Sequence, residues 1–210
     1  MTNRKMKTFC CLFFILALCG CEKKIATTPF GELIPTPIST PDTYDMAVDF
    51  LTGSAEERIH GMWTIRNNYP DNIKSILPLI IANLYYDPTP EVRIAASDVL
   101  GEFGSQADQA VNDLIIVLQE DDAVQVRRSI SLTLGEIGNP IAVPILAANL
   151  FDSNDAIQVF SARSIAMITG EKFTDWDSKG GYGGNNEGLT YIVIDARLWW
   201  EKVGKFKEWQ

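Results

Sequence analysis

The chain has 210 residues, with 18 Lys and Arg against 27 Asp and Glu and a formal charge of −9. A surface of that sign repels phosphate backbones and anionic lipid faces, which excludes nucleic acid as a partner. The single histidine, and four cysteines that all fall at or before position 21, leave no Cys/His set for nucleophilic catalysis or metal binding in the body of the chain.

In chain order, the first element is MTNRKMK, carrying Arg4, Lys5 and Lys7 and no acid, followed by the apolar run TFCCLFFILALCG. A basic stretch followed by a short apolar one reads as a secretory signal. About 13 apolar residues are too few for a helix to span ~30 Å of hydrocarbon. The run ends Leu18-Cys19-Gly20-Cys21. This resembles the lipobox of bacterial lipoproteins: an aliphatic residue, a small one, Gly or Ala, then Cys. Cys19 stands where Ala, Ser or Thr is usual. The resemblance implies diacylglyceryl transfer to the Cys21 sulfur, cleavage before Cys21 and acylation of the new amino group. Two or more acyl chains hold a protein stably on a membrane where one does not. Cys10, Cys11 and Cys19 then leave with the signal (residues 1–20), so no disulfide is expected in the mature chain. By the same resemblance, Glu22 carries no inner-membrane retention signal. The expected location is extracytoplasmic, held to a membrane by lipid on Cys21. Loss of the signal leaves 15 cations against 27 acids, a net charge of −12.

Residues 21–43 follow as a tether, with Pro29, Pro35, Pro37 and Pro41 among threonines. Such a chain is extended and semi-rigid, and about 20 residues at ~3.1 Å each reach up to ~60 Å. Residues 44–52, YDMAVDFLT, form an expected capping helix at the start of a domain running from 44 to 170. The length beyond the tether is enough for one domain with a real core.

Within that domain three segments repeat: DPTPEVRIAASDVLGEFG from Asp87, DDAVQVRRSISLTLGEIG from Asp121 and DSNDAIQVFSARSIAMIT from Asp152. The register pairs Val92, Val126 and Ile157, then Leu100, Leu134 and Ile165, then Phe103, Ile137 and Ile168. An earlier copy, SAEERIHGMWTIRNNY, aligns Arg58 with Arg93. Val92, Ala96, Val99, Leu100 and Phe103 fall on one helical face. Gly104 and Gly138 stop the first helix of their units. A second apolar block separates the copies and reads as a second helix. Pro78, Asn112 and Pro144 are expected near its start, where proline costs no hydrogen bond. Leu79, Leu114 and Leu146 are expected on its buried face. No strand alternation occurs, so the fold class is all-α: a solenoid of about four stacked helix pairs.

These residues resemble the HEAT-repeat superfamily, most closely the short bacterial type with VR-x-A-A-x-x-L-G-x-I-G. Val92-Arg93, Ala95-Ala96, Leu100-Gly101, Val126-Arg127 and Leu134-Gly135-Glu136-Ile137-Gly138 carry the likeness, over roughly residues 54–170. The resemblance implies that Asp87, Arg93, Asp121 and Arg127 form a structural ladder between neighbouring repeats. Copy four departs from the pattern, with Gln158 in the arginine position.

After Gly170 the pattern breaks. Residues 171–190 read as a glycine-rich insertion and residues 191–210 as a capping helix whose buried face is Ile194, Leu198 and Trp199. Insertions in solenoids map to one edge and often bind, so Trp176, Tyr182 and Trp200 are the candidate partner-binding residues. The opposing expectation is that Trp176 and Trp199 fold back to cap the last repeat. DWDSKGGYGGNNE puts Asp175 and Asp177 at loop positions 1 and 3, but Lys179 at 5 and an acid at 13 depart from a calcium loop, and no metal is expected. His60 lacks any triad signal, and no glycine loop is built to cradle phosphate.

The sequence therefore predicts a membrane-anchored scaffold without enzymatic activity or cofactor. It binds protein partners in the cell envelope, with the second helices lining the contact face. Two alternatives stay open: a cell-wall or carbohydrate binder, and a maturation factor. The second follows from the likeness of short bacterial HEAT repeats to bilin-attaching lyases, which act in the cytoplasm.

Overall fold

The computed structural model describes residues 53–68, 73–173 and 187–209. The signal, Cys21, the tether, the expected 44–52 helix and most of the glycine-rich insertion lie outside these residues.

Among the described residues there are eight α-helices and no strand. They are α1 (Ala55–Asn68), α2 (Ile73–Tyr86), α3 (Pro90–Glu102), α4 (Val111–Glu120), α5 (Val124–Ile137), α6 (Val143–Asn149), α7 (Asp155–Thr169) and α8 (Glu187–Lys202). Short 3-10 turns cover Gly104–Ala110, Pro140–Ala142 and Gly204–Phe206.

Local chemistry sets the helix ends. Ser54 and Glu57 form a capping box: the Glu57 amide donates to Ser54 Oγ at 3.3 Å and the Ser54 amide to Glu57 Oε2 at 2.6 Å. Those bonds hold the Glu57 carboxyl below its usual range. Asn154 caps α7 by accepting from the amides of Ala156 and Ile157. Gly138 and Gly170 close α5 and α7 in the left-handed conformation, at φ 82° and 72°.

The helices form two layers. α1, α3, α5 and α7 stack side by side, while α2, α4 and α6 each pack on the first helix of the following unit and α8 packs on α7. The second layer is joined by contacts of α2 with α4 and of α6 with α8. The expected face of α3, Val92, Ala96, Val99, Leu100 and Phe103, is wholly buried. The core continues through Val126, Ile130, Leu134, Leu146, Leu150, Ile157 and Ile165.

Three sequence expectations are corrected. Pro78 is the sixth residue of α2, because Ile73–Leu77 extend the helix upstream of it. Ile80, 1% exposed, takes the buried rung beside Leu114 and Leu146, and Leu79 is only partly covered. Counting two positions from Pro78, Asn112 and Pro144 reaches Ile80, Leu114 and Leu146, so the correction is a slip of one residue. At the C-terminus the helix runs from Glu187 to Lys202 rather than over 191–210, taking in Gly188 and stopping before the 3-10 turn at Gly204–Phe206. Its buried face is Ile192, Val193 and Ala196, while Ile194 and Leu198 are exposed.

Candidate interaction surface

The first layer is held by two ladders. In the ionic one, Arg58 Nε lies 2.6 Å from Asp87 Oδ2, and Arg93 Nε lies 2.7 Å from Asp121 Oδ2. Both guanidinium groups make a second bond to the other carboxylate oxygen, at 3.0 and 2.8 Å. Each of these aspartates also fixes its own turn. Asp87 Oδ1 accepts from the Thr89 amide, Asp121 Oδ1 from the Ala123 amide and Asp152 Oδ1 from the Asn154 amide, at 2.7 to 2.9 Å. Arg93, Arg127 and Gln158 each donate back to the carbonyl six residues earlier, those of Asp87, Asp121 and Asp152, at 2.7 to 2.9 Å. Gln158 thus keeps the arginine's backbone bond without its charge.

The second ladder is made of hydroxyls and was not legible in the sequence. Thr133 Oγ1 donates to the Ser97 carbonyl at 3.1 Å, and Ser164 Oγ donates to the Ser131 carbonyl at 2.6 Å. Ser97 Oγ and Thr133 Oγ1 lie 2.8 Å apart. The helices approach closely enough that a Cβ on Gly135 would sit 2.7 Å from Ser164 Cβ. On the rim of this layer Ser129 Oγ donates to Asp98 Oδ1 at 2.5 Å, and the Glu136 carboxylate lies over Gly101. Burial pushes the Asp98 and Glu136 carboxyls above the usual range, with Glu102 adding repulsion to both.

The second layer presents a repeated open face. On α4, Asn112, Ile116 and Gln119 are exposed at i, i+4 and i+7. The residues 32 positions later, Pro144, Ala148 and Phe151, are exposed in the same way on and just beyond α6. Phe151 is 60% exposed. On α2, burial raises the Tyr85 hydroxyl pKa, and Asp113 of α4 adds to the effect.

Arg197, on α8, completes the last repeat. It donates to the Leu150 carbonyl, from Nε at 3.0 Å and also from Nη2, and to Gln158 Oε1 at 3.1 Å. Its guanidinium also lies 4.8 Å from the centroid of the Phe151 ring. A cation is thereby placed at the C-terminal end of α6, where the helix dipole favours one. Arg197 lies outside the repeats, so periodicity gave no signal for it.

Asp87, Arg93 and Asp121 meet in the ladder, and Arg127 binds the Asp121 carbonyl with no ion pair to Asp152. Trp200 is partly buried and packs with Trp199, ring centroids 6.4 Å apart, over Gly204. Phe173 and Trp209 close on Trp199 at 5.9 and 6.0 Å, forming an aromatic cap. Trp176, Tyr182 and the acidic positions of the calcium-like loop up to Asn186 fall outside the described residues. His60 is exposed on α1. Among the described residues no group of three His, Cys, Asp or Glu is placed to hold a metal ion, and no helix is long and apolar enough to cross a membrane.

The chain matches none of the curated proteins compared with it. Residues 77–166 match the family model for HEAT repeats, and with the stacked helix pairs that contain them they make this domain an α-solenoid of HEAT-like repeats.

Proposed function

We propose that the protein is a lipid-tethered scaffold that binds protein partners in the cell envelope and performs no chemistry of its own. HEAT repeats support a role in protein interaction. The observation that carries the reading is the open face of the second layer. Asn112, Ile116 and Gln119 recur 32 residues later as Pro144, Ala148 and Phe151, on a backing made rigid by two interhelical ladders. A regular, mixed polar and apolar ridge on a stiff support suits an extended protein surface. The tether rests on the Leu18-Cys19-Gly20-Cys21 sequence. Trp200, one of the candidate partner-binding residues, is engaged in the aromatic cap.

Two measurements test the reading separately. Metabolic labelling with a fatty acid marks the wild-type protein and leaves Cys21→Ser unlabelled; equal labelling of both would overturn the tether. Crosslinking in intact cells yields a defined set of envelope proteins, and Ile116→Arg loses it without a change in thermal midpoint. An unchanged set would move the contact surface away from α4.

A further inference from the structure

We propose that the open side of α8 and the tail after it dock on an anionic lipid surface. The last helix of a solenoid ordinarily turns a polar face outward. Here Ile194 and Leu198 are 41% and 50% exposed, and with Tyr191 they are spaced three and four residues apart along one face. Lys202 follows Leu198 one turn later. Beyond the helix, Phe206 is 74% exposed between Lys205 and Lys207, and Lys205 Nζ lies 5.3 Å from its ring centroid. An apolar stripe ending in lysines and an exposed aromatic ring is the chemistry of an interfacial segment.

Charge selects this occupant. Residues 21–196 hold 11 cations against 25 acids, whereas residues 198–210 hold Lys202, Lys205 and Lys207 against Glu201 and Glu208, next to Arg197, which is held by Leu150 and Gln158. The tail is thus a basic pole on an acidic molecule, and a negative surface attracts it while repelling the rest. A second copy related by a two-fold axis would bring two basic tails face to face and is the poorer fit. The pairs Lys205–Glu201 at 2.5 Å and Lys207–Glu171 at 4.0 Å, and the contacts of Lys207 with the Trp199 and Trp209 rings at 5.5 and 5.7 Å, are each weak at an exposed lysine, so the lysines can turn to lipid headgroups. The proposal rests on the tether reading, since attachment at Cys21 supplies the local concentration that a small patch needs.

The test is hydrogen exchange on the full-length protein with vesicles of phosphatidylcholine alone or mixed with phosphatidylglycerol, alongside vesicle flotation. Amides of 191–207 are expected to exchange about tenfold slower on the anionic vesicles. High salt or Phe206→Glu should abolish that protection, while α3–α7 exchange as before. Flotation reports the tether and exchange reports the docking. A chain that floats with 191–207 unprotected overturns the docking and keeps the tether. A chain that does not float overturns the tether, and protection by excess anionic vesicles would then keep the docking. Protection that appears at high protein concentration without vesicles overturns the docking in favour of self-association.

Discussion

Arg93 and Asp121 belong to successive repeats and meet in a fully buried fork, with Nε to Oδ2 at 2.7 Å and Nη2 to Oδ1 at 2.8 Å. Removing one partner leaves the other charge buried, which costs about 3–5 kcal/mol. Arg66 and Glu102 make an equally short contact, 2.6 Å, but on the surface, where a pair contributes about 1 kcal/mol or less. Urea unfolding should therefore show a large loss for Arg93→Gln and almost none for Arg66→Gln. Adding Asp121→Asn to Arg93→Gln should restore part of the loss, because no unpaired charge is then left buried. Equal effects at Arg93 and Arg66 would mean that the ladder does not hold the repeats together.

Gly101 and Gly135 occupy the same repeat position and respond differently to a methyl group. At Gly101 the nearest atom to a new Cβ is the end of the flexible Glu136 side chain. At Gly135 it meets Ser164 Oγ, Cβ and Cα, all within 2.8 Å. Alanine gains up to about 1 kcal/mol of helix propensity at either site. Gly101→Ala is expected to be neutral or slightly stabilising as Glu136 swings away. Gly135→Ala forces α5 from α7 and should cost about 1–3 kcal/mol net of that gain. Thermal melts of the two variants decide it, and a stabilised Gly135→Ala would show that the layer is looser than described.

Repetition made the scaffold readable. Each core position of the first helices appears two or three times, so Leu100, Leu134 and Ile165 identify one another, and Asp87 and Asp121 mark the turns. The resemblance, rather than spacing, supplied the pairing of Arg93 with Asp121. What periodicity cannot show is a contact between positions that are not equivalent. Ser164 reaches the carbonyl of Ser131, two places off in register, and Val99 interrupts its column of hydroxyls. Arg197 and the Ile192, Val193 and Ala196 face lie beyond the last copy, where no neighbour supplies a register. The sequence predicts that the second helices line the contact face, but Ile116 and Phe151 cannot be singled out on them, because exposed positions vary freely between copies.

Acid should stabilise the rim of the first layer. Burial, repulsion from Glu102 and, at Glu136, repulsion from Asp98 favour the neutral carboxyls, against opposing pulls from Ser129, Arg128 and Arg163. A carboxyl whose pKa is raised on folding binds its proton more tightly in the folded state. Its stabilising contribution is full below the unfolded value, about 4, and falls away as pH rises through the folded one. Both groups keep contact with water, so the effect is a few tenths of a kcal/mol. Glu136→Gln should be slightly more stable than wild type at pH 7, with the difference closing as pH falls toward 4. Chemical unfolding across that range checks it, and a difference that widens in acid would reverse the sign assigned here.

The terminal helix should come loose before the solenoid does if Arg197 is removed. Its guanidinium ties α8 to the end of α6 through the Leu150 carbonyl, to α7 through Gln158 and to the Phe151 ring. A charge-assisted bond of this kind contributes about 1.5–3 kcal/mol. Arg197→Ala therefore raises local exchange in α8 by one to two powers of ten, about the range that energy gives. Arg197→Lys recovers only part, since a lysine cannot address the carbonyl and Gln158 from one planar fork. The amides of α3 and α5, beyond α7 in the stack, should keep their protection in both variants. If those amides exchanged faster in step with α8, the molecule would be opening as a single unit, and Arg197 would be a global brace rather than a local clasp.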